Sequence, residues 1–283
     1  MNAGMLKTIA TALEKNSEKA NPIEEGDYQR DGLWYCGKCN TPKQCFVELF
    51  GEQKTVFCLC QCKQEEKVRR EYEDKAERRK RAYERLIERS CMDERSLNAR
   101  FENAVINEIN ESNMKLCKAY AERFDEMYQK NRGLLFMGAS GTGKTYAAAC
   151  IANTLLDRYI GVKMVSFARL CNMAKDVENI DAFEDELTEV PLLIIDDLGA
   201  QRDTSYAKEK VYNVINMRYE AEKPMIITTN ITSSKEMQGT ETECARVFDR
   251  ILETCMPVKW EGKSWRTLGM NSRMDEFKKE LGL

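Results

Sequence analysis

After Phe101 the chain alternates short apolar runs with stretches of helical spacing: LLFM at 134–137, VKMVSF at 162–167, PLLIIDD at 191–197 and PMIITTN at 224–230. Runs this short and this uniformly apolar predict strands buried on both faces, the pattern of a parallel sheet with helices packed on either side. Before the first run, Leu116, Tyr120 and Phe124 fall at helical spacing. The sequence KQEEKVRREYEDKAERRKRAYERLIER, residues 63–89, has no Gly or Pro, mixed charge signs and few apolar positions, so it predicts a solvated helix serving as a linker. Residues 34–62 are different again, with short alternating runs punctuated by Gly and Pro, and predict a small β unit. At the start, Leu6, Ile9 and Leu13 share a face of a short amphipathic helix that either packs on its own domain or grips a partner. The division that follows is an N-terminal unit over 1–62, a helical linker over 63–96 and an α/β domain over 97–283.

Composition narrows the partners. With 283 residues and a formal net charge of -3, the chain can bury one full-sized core plus a small satellite, and it is not a uniformly basic nucleic-acid coat. Any contact with DNA must come from a local patch. The RRKR cluster at 78–81 lies among acids and predicts a solvated helix face rather than such a patch. Neither a signal-peptide pattern nor an apolar run of bilayer length is present, so a cytoplasmic placement without a membrane partner is expected, with the 12 cysteines kept reduced.

The chemistry begins at GASGTGKT: Gly138, Ala139, Ser140, Gly141, Thr142, Gly143, Lys144 and Thr145. Placed between a strand and a helix, this is the phosphate-binding loop pattern. Glycines let backbone N–H groups curl around phosphates, Lys144 reaches the β and γ phosphates of ATP, and Thr145 offers its hydroxyl to Mg2+. Downstream, the apolar strand in PLLIIDDLG delivers Asp196 and Asp197 to the carboxyl edge of the sheet. Asp196 is expected to share the magnesium with Thr145, and Asp197 to orient the attacking water. Asn230 ends the next strand and is suited to sensing the γ phosphate or holding that water.

Six cysteines crowd the N-terminal unit. Cys36 and Cys39 form a CGKC knuckle, and Cys58, Cys60 and Cys62 follow in CLCQC. The chain has no histidine, so a tetrahedral Zn2+ site must be made of thiolates alone. Read as a strand, CLCQC puts all three on one face, whereas four-coordination leaves room for two. The favoured set is Cys36, Cys39, Cys60 and Cys62, with Cys58 the replacement and Cys45 in the loop between knuckles. Cys91, Cys117, Cys150, Cys171, Cys244 and Cys255 are scattered and read as small apolar residues.

The order GASGTGKT, LLIIDDLGA, IITTN, RVFDRI and SWR resembles the AAA+ ATPases of the DnaC/DnaI helicase-loader family, in the form with an N-terminal cysteine cluster. The resemblance implies an AAA+ P-loop core that ends soon after the last motif, without a large helical lid. It also implies that Arg250, or Arg246 on the same helical face, enters a neighbouring subunit's nucleotide site, and that Arg266 contacts the nucleotide in cis. The implied partners are a replicative hexameric DNA helicase, single-stranded DNA and further copies of the chain. ATP binding and hydrolysis would control release of the helicase. Asp197 stands where many AAA+ proteins have Glu, so hydrolysis is expected to be weak and stimulated by assembly or single-stranded DNA. Two rival readings are a transposition helper ATPase of the IstB type and a nucleotide-bound interaction module without turnover.

Overall fold

The computed structural model describes residues 16–49, 51–176, 180–198, 205–232, 242–267 and 270–281. The helix expected over Met5 to Leu13 lies outside them. The chain divides into two compact units, Met1–Lys80 and Arg81–Leu283.

In the first unit, β1 (Tyr28–Arg30) pairs antiparallel with β2 (Leu33–Tyr35), and β3 (Gln44–Leu49) with β4 (Glu52–Phe57). The strands of these hairpins are short and mostly exposed or half-buried, so a cross-link between them would add to a small core. Lys43, 4 % exposed, bonds Asp27 and the Pro22 carbonyl, while the other Asp27 oxygen accepts the Gly37 N–H at 3.0 Å. Burial works against that carboxylate, but the Lys43 ammonium and the N–H groups of Glu24 and Gly37 hold its pKa down at about 2. Helix α1 (Gln61–Arg89) follows, with no buried residue. It crosses the division at Lys80, and the side chains of Tyr83, Leu86 and Ile87 pack against the core of the second unit.

The second unit is organised by one five-stranded parallel sheet, in the order β6-β7-β8-β5-β9. Its strands are β5 (Gly133–Met137), β6 (Val162–Ser166), β7 (Leu192–Leu198), β8 (Met225–Thr229) and β9 (Cys255–Lys259). Because side chains alternate along a strand, Leu134 and Phe136 of β5 enter a different core from Leu135 and Met137. The first core is closed by α3 (Glu111–Glu122), α4 (Phe124–Gln129) and α5 (Lys144–Asp157). The second is closed by α6 (Phe167–Asp176), α7 (Ile180–Glu189), α8 (Ser205–Glu220) and α9 (Thr242–Thr254). Two further helices are α2 (Glu94–Leu97), ahead of α3, and α10 (Met270–Glu280).

Two details of these elements differ from the sequence reading. Leu116 is 40 % exposed, and α3 instead buries Met114, Cys117, Tyr120 and Ala121, because the small Cys117 and Ala121 face the alanine-rich side of α5. β9 has no counterpart among the apolar runs read as strands.

Arg218 of α8 is wholly buried, and among the described residues no carboxylate accepts from it. Its guanidinium donates to the carbonyls of Leu187, Thr188, Val190, Pro191 and Pro224, tying the chain entering β7 to the chain entering β8. Burial lowers its pKa to about 10. This buried cation fixes the near ends of the two strands whose far ends carry Asp196 and Asn230.

Candidate functional site

β5 delivers the loop 138–145 to the carboxyl edge of the sheet, and α5 starts at Lys144, so the first-turn N–H groups of that helix have no intrahelical acceptor. Two glycines are required by what surrounds the loop. A Cβ on Gly138, at φ +149, would lie 2.0 Å from the Trp260 carbonyl oxygen. One on Gly141, at φ +80, would lie 2.0 Å from Ser264 Oγ. The segment after β9 is bonded to the same loop: Trp260 N–H donates to Met137 O at 2.7 Å and Trp265 N–H to Gly141 O at 2.8 Å.

Lys144 is 4 % exposed, and its ammonium donates to Gly138 O and Ala139 O at 2.7 Å each and to Asn230 Oδ1 at 3.1 Å. Burial lowers its pKa, against the pull of Asp197 and Asp196. Asp196 Oδ1 accepts two hydroxyls, from Thr145 at 2.8 Å and from Thr228 at 2.6 Å. Burial raises the pKa of this carboxylate, and the two hydroxyls oppose the rise. Asn230 Nδ2 donates to Asp197 Oδ1 at 3.4 Å. The structure thus brings Lys144, Thr145, Asp196, Asp197 and Asn230 together. They arrive from three neighbouring strands because β8 lies between β5 and β7.

A cavity of about 460 Å³ opens over this cluster, within the range that takes a drug-sized ligand. Ser140, Gly141, Gly143 and Arg266 line it at the loop, and Val105, Met114, Trp260 and Trp265 supply apolar wall. Arg266 Nη1 reaches Ser140 Oγ at 3.4 Å. The donor set fits a magnesium-bound nucleotide. Hard oxygen ligands stand at Thr145 and Asp196, a buried ammonium lies where negative charge would sit, and the apolar wall suits a base. Ala139 and Thr142 shape the loop from within, Thr142 Oγ1 donating to Ala139 O at 2.9 Å.

Arg250 and Arg246 are not among the cavity's lining residues. Both lie on α9, where Arg246 is exposed and the Arg250 guanidinium stacks over the Tyr219 ring at 5.2 Å from its centroid.

In the first unit, one sulfur each from Cys36, Cys39, Cys60 and Cys62 lie within 4.8 Å of one another. A tetrahedral zinc with bonds of about 2.3 Å would set its sulfurs about 3.8 Å apart. The Cys36–Cys62 and Cys60–Cys62 separations are 3.7 and 3.4 Å, so the four thiols fit that ion. Cys36 and Cys60 are buried, and the Thr41 hydroxyl lies 3.0 Å from Cys39 Sγ.

CLCQC is not a strand: β4 ends at Phe57 and α1 starts at Gln61, placing Cys62 in the first turn of a helix. That break in direction, rather than alternation, separates Cys60 and Cys62 from Cys58. Cys45 is an exposed residue of β3, not of a loop. Cys117, Cys150, Cys171 and Cys255 are buried and Cys91 partly so, while the environment of Cys244 lies outside the described side chains.

Thr228, Trp260, Trp265 and the wall from Asp93 to Met114 were not singled out from sequence. A hydroxyl on the strand next to two aspartates was the available signal for Thr228. The others reach the cavity through long-range topology.

Several known proteins are similar to this chain. A replicative helicase loader DnaI from Bacillus subtilis (strain 168) is 28% identical over 150 residues, 48% of each chain. A replicative helicase loader DnaC from Escherichia coli (strain K12) is 29% identical over 181 residues, 62% of this chain and 71% of that one. The present chain thus spans about half the length of the Bacillus relative. The crystal structure of DnaI superposes with a TM-score of 0.53 at 22% identity, covering 62% of this chain and 94% of that one, which shows that the two share a fold. Residues 65–272, carrying the phosphate loop, both aspartates, Asn230 and the 260–266 segment, match the model of the IstB-like ATP binding proteins, and the chain belongs to that family.

Proposed function

We propose that this protein is an ATP-dependent loader that holds a replicative hexameric DNA helicase and delivers it onto single-stranded DNA. The observation that carries the reading is the convergence of Lys144, Thr145, Asp196, Asp197 and Asn230 on one cavity, in a chain similar to proteins named replicative helicase loaders. Lys144 faces the β and γ phosphates, and Thr145 and Asp196 hold a magnesium ion that neutralises phosphate charge when bound. Asp197 and Asn230 orient water toward the phosphate, and Arg266 meets the nucleotide in cis. Arg250 of a neighbouring copy completes the site, so turnover follows assembly. The stacking of Arg250 on Tyr219, away from its own chain's cavity, supports action in trans.

In this reading the four cysteines bind structural zinc and the N-terminal unit of residues 1–62 grips the helicase. Residues 63–96 link it to the ATPase domain of 97–283. ATP switches the protein between holding and releasing only insofar as the helicase and DNA bind its nucleotide states with different affinity. The family description also fits a transposition helper that recruits a transposase. The test is capture of purified hexameric helicase by the immobilised full chain with ATP and Mg2+, against a transposase as the competing bait. Helicase retention that weakens on chasing with single-stranded DNA is expected, and retention of the transposase alone would overturn the reading.

A further inference from the structure

β7 and β8 pair in regular parallel register from Leu193 to Ile195, and then the register shifts between Ile195 and Leu198. The irregularity falls on the two aspartates. Asp197 takes φ +57, the left-handed region that is uncommon for non-glycine residues, Asp being among those that enter it most readily. A backbone N–H displaced from a sheet ladder and partly buried needs another acceptor. Here that acceptor is a side chain, since the Asp197 N–H donates to Thr228 Oγ1 at 2.9 Å. The same hydroxyl donates its one proton to Asp196 Oδ1 at 2.6 Å. Thr228 is 0 % exposed, so no bulk water competes for either bond.

These bonds close a circuit. Lys144 reaches Asn230, Asn230 reaches Asp197, the Asp197 N–H reaches Thr228, Thr228 reaches Asp196, and Asp196 accepts Thr145, the residue after Lys144. Thr228 is the only non-charged side chain in it that both accepts and donates across the β7–β8 seam. Its acceptor role fixes the direction of its proton, and its donor role then fixes one oxygen of the Asp196 carboxylate.

From this we infer that Thr228 is a positioning residue for nucleotide-bound magnesium, holding Asp196 in the orientation that presents its carboxylate beside Thr145 and holding Asp197 in its left-handed turn. The inference rests on the nucleotide-site reading above. Valine has nearly the same shape as threonine without the hydroxyl, and serine keeps the hydroxyl without the methyl, so the pair separates positioning from packing.

The experiment titrates full-length wild type, Thr228→Val and Thr228→Ser with a fluorescent adenine nucleotide at increasing Mg2+, alongside hydrogen exchange at the Asp197 amide. Thr228→Val should need at least about tenfold more Mg2+ for half-maximal binding, the lower end of the loss expected for one hydrogen bond to a charged group. Its magnesium-free affinity should stay within about twofold, a change too small to count as a lost interaction. The Asp197 amide should exchange faster. Thr228→Ser should restore both the magnesium dependence and the protection. Should Thr228→Val not fold, Thr228→Ala carries the same comparison, with a shift in the same direction. An unchanged magnesium requirement in Thr228→Val, or a serine variant as defective as valine, overturns the inference while leaving the nucleotide site standing. A wild-type protein that binds no nucleotide at any Mg2+ concentration overturns the site itself, and this inference with it.

Discussion

Replacing Lys144 by methionine tests the nucleotide site most directly, because the two side chains are similar in length and differ in charge. The ammonium now spends its donors on Gly138 O, Ala139 O and Asn230 Oδ1. Binding a triphosphate redirects it toward phosphate oxygens, each charged bond contributing about 1.5–3 kcal/mol net. Two such bonds, less the carbonyl contacts surrendered to make them, amount to about 3–4 kcal/mol. The expected loss is therefore roughly 150- to 700-fold in Kd. Folding should respond far less. The variant loses the ties to the loop but no longer buries an ammonium, whose lowered pKa reports that cost. A net change within about 1 kcal/mol corresponds to a Tm shift of about 2–4 °C in a domain of this size. Titration of a fluorescent ATP analogue in Mg2+ buffer and a thermal melt of the same samples provide the measurement. A Kd within threefold of wild type would refute the assignment of Lys144 to phosphate. A melt displaced by more than about 10 °C would show that the substitution disturbs folding and not the phosphate contact alone.

Arg250→Ala should keep nucleotide affinity and lose stimulated hydrolysis, and mixing it with Lys144→Met should restore part of the turnover, since each chain supplies what the other lacks. Failure of that rescue, with success for Arg246→Ala in the same mixture, moves the role to Arg246. Elemental analysis should find one zinc per chain, and Cys60→Ser should lose it. Chelation should abolish hydrogen-exchange protection around Cys36 to Cys62 while the protection of β5 to β9 is unchanged, as expected where the metal supplies about 10–16 kcal/mol of apparent binding energy to a small unit. Arg218→Met leaves five carbonyls without their shared donor. It should cost about 3 kcal/mol, or about 6–12 °C in Tm, measured by thermal melting with zinc present.

The four strands of near-continuous apolar sequence were legible because strands covered on both faces need no polar alternation. β9 was not. Only Cys255 and Val258 of CMPVK are buried, and its Pro257 argues against a central strand. The structure resolves the conflict by placing β9 at the sheet edge, where a missing N–H costs little. The phosphate loop and the aspartates were legible because their spacing is local. The partners of the loop were not, since Trp260 and Ser264 are far from it in sequence and reach it through sheet order alone. The CGKC knuckle announced a metal site by spacing. The choice of Cys60 and Cys62 over Cys58 depended on where a strand gives way to a helix, which alternation does not encode. Arg218 reads as an ordinary charged position near the end of α8. Its burial follows from a cluster of carbonyls that no periodicity records.

The contacts between the phosphate loop and the segment after β9 bear on the order in which the protein is made. The Met137 and Gly141 carbonyls accept the N–H groups of Trp260 and Trp265, and β5 gains its second neighbour only when β9 pairs with it. During synthesis the loop leaves the ribosome more than a hundred residues before the chain that braces it. Until then β5 lacks its β9 neighbour, and Gly138 and Gly141 lack the Trp260 and Ser264 atoms that close on them. A nascent chain therefore has its nucleotide-binding sequence long before it has a nucleotide-binding site. The pocket is complete only once the segment after β9 is made, so a partially synthesised copy has no fully formed site with which to compete for ATP.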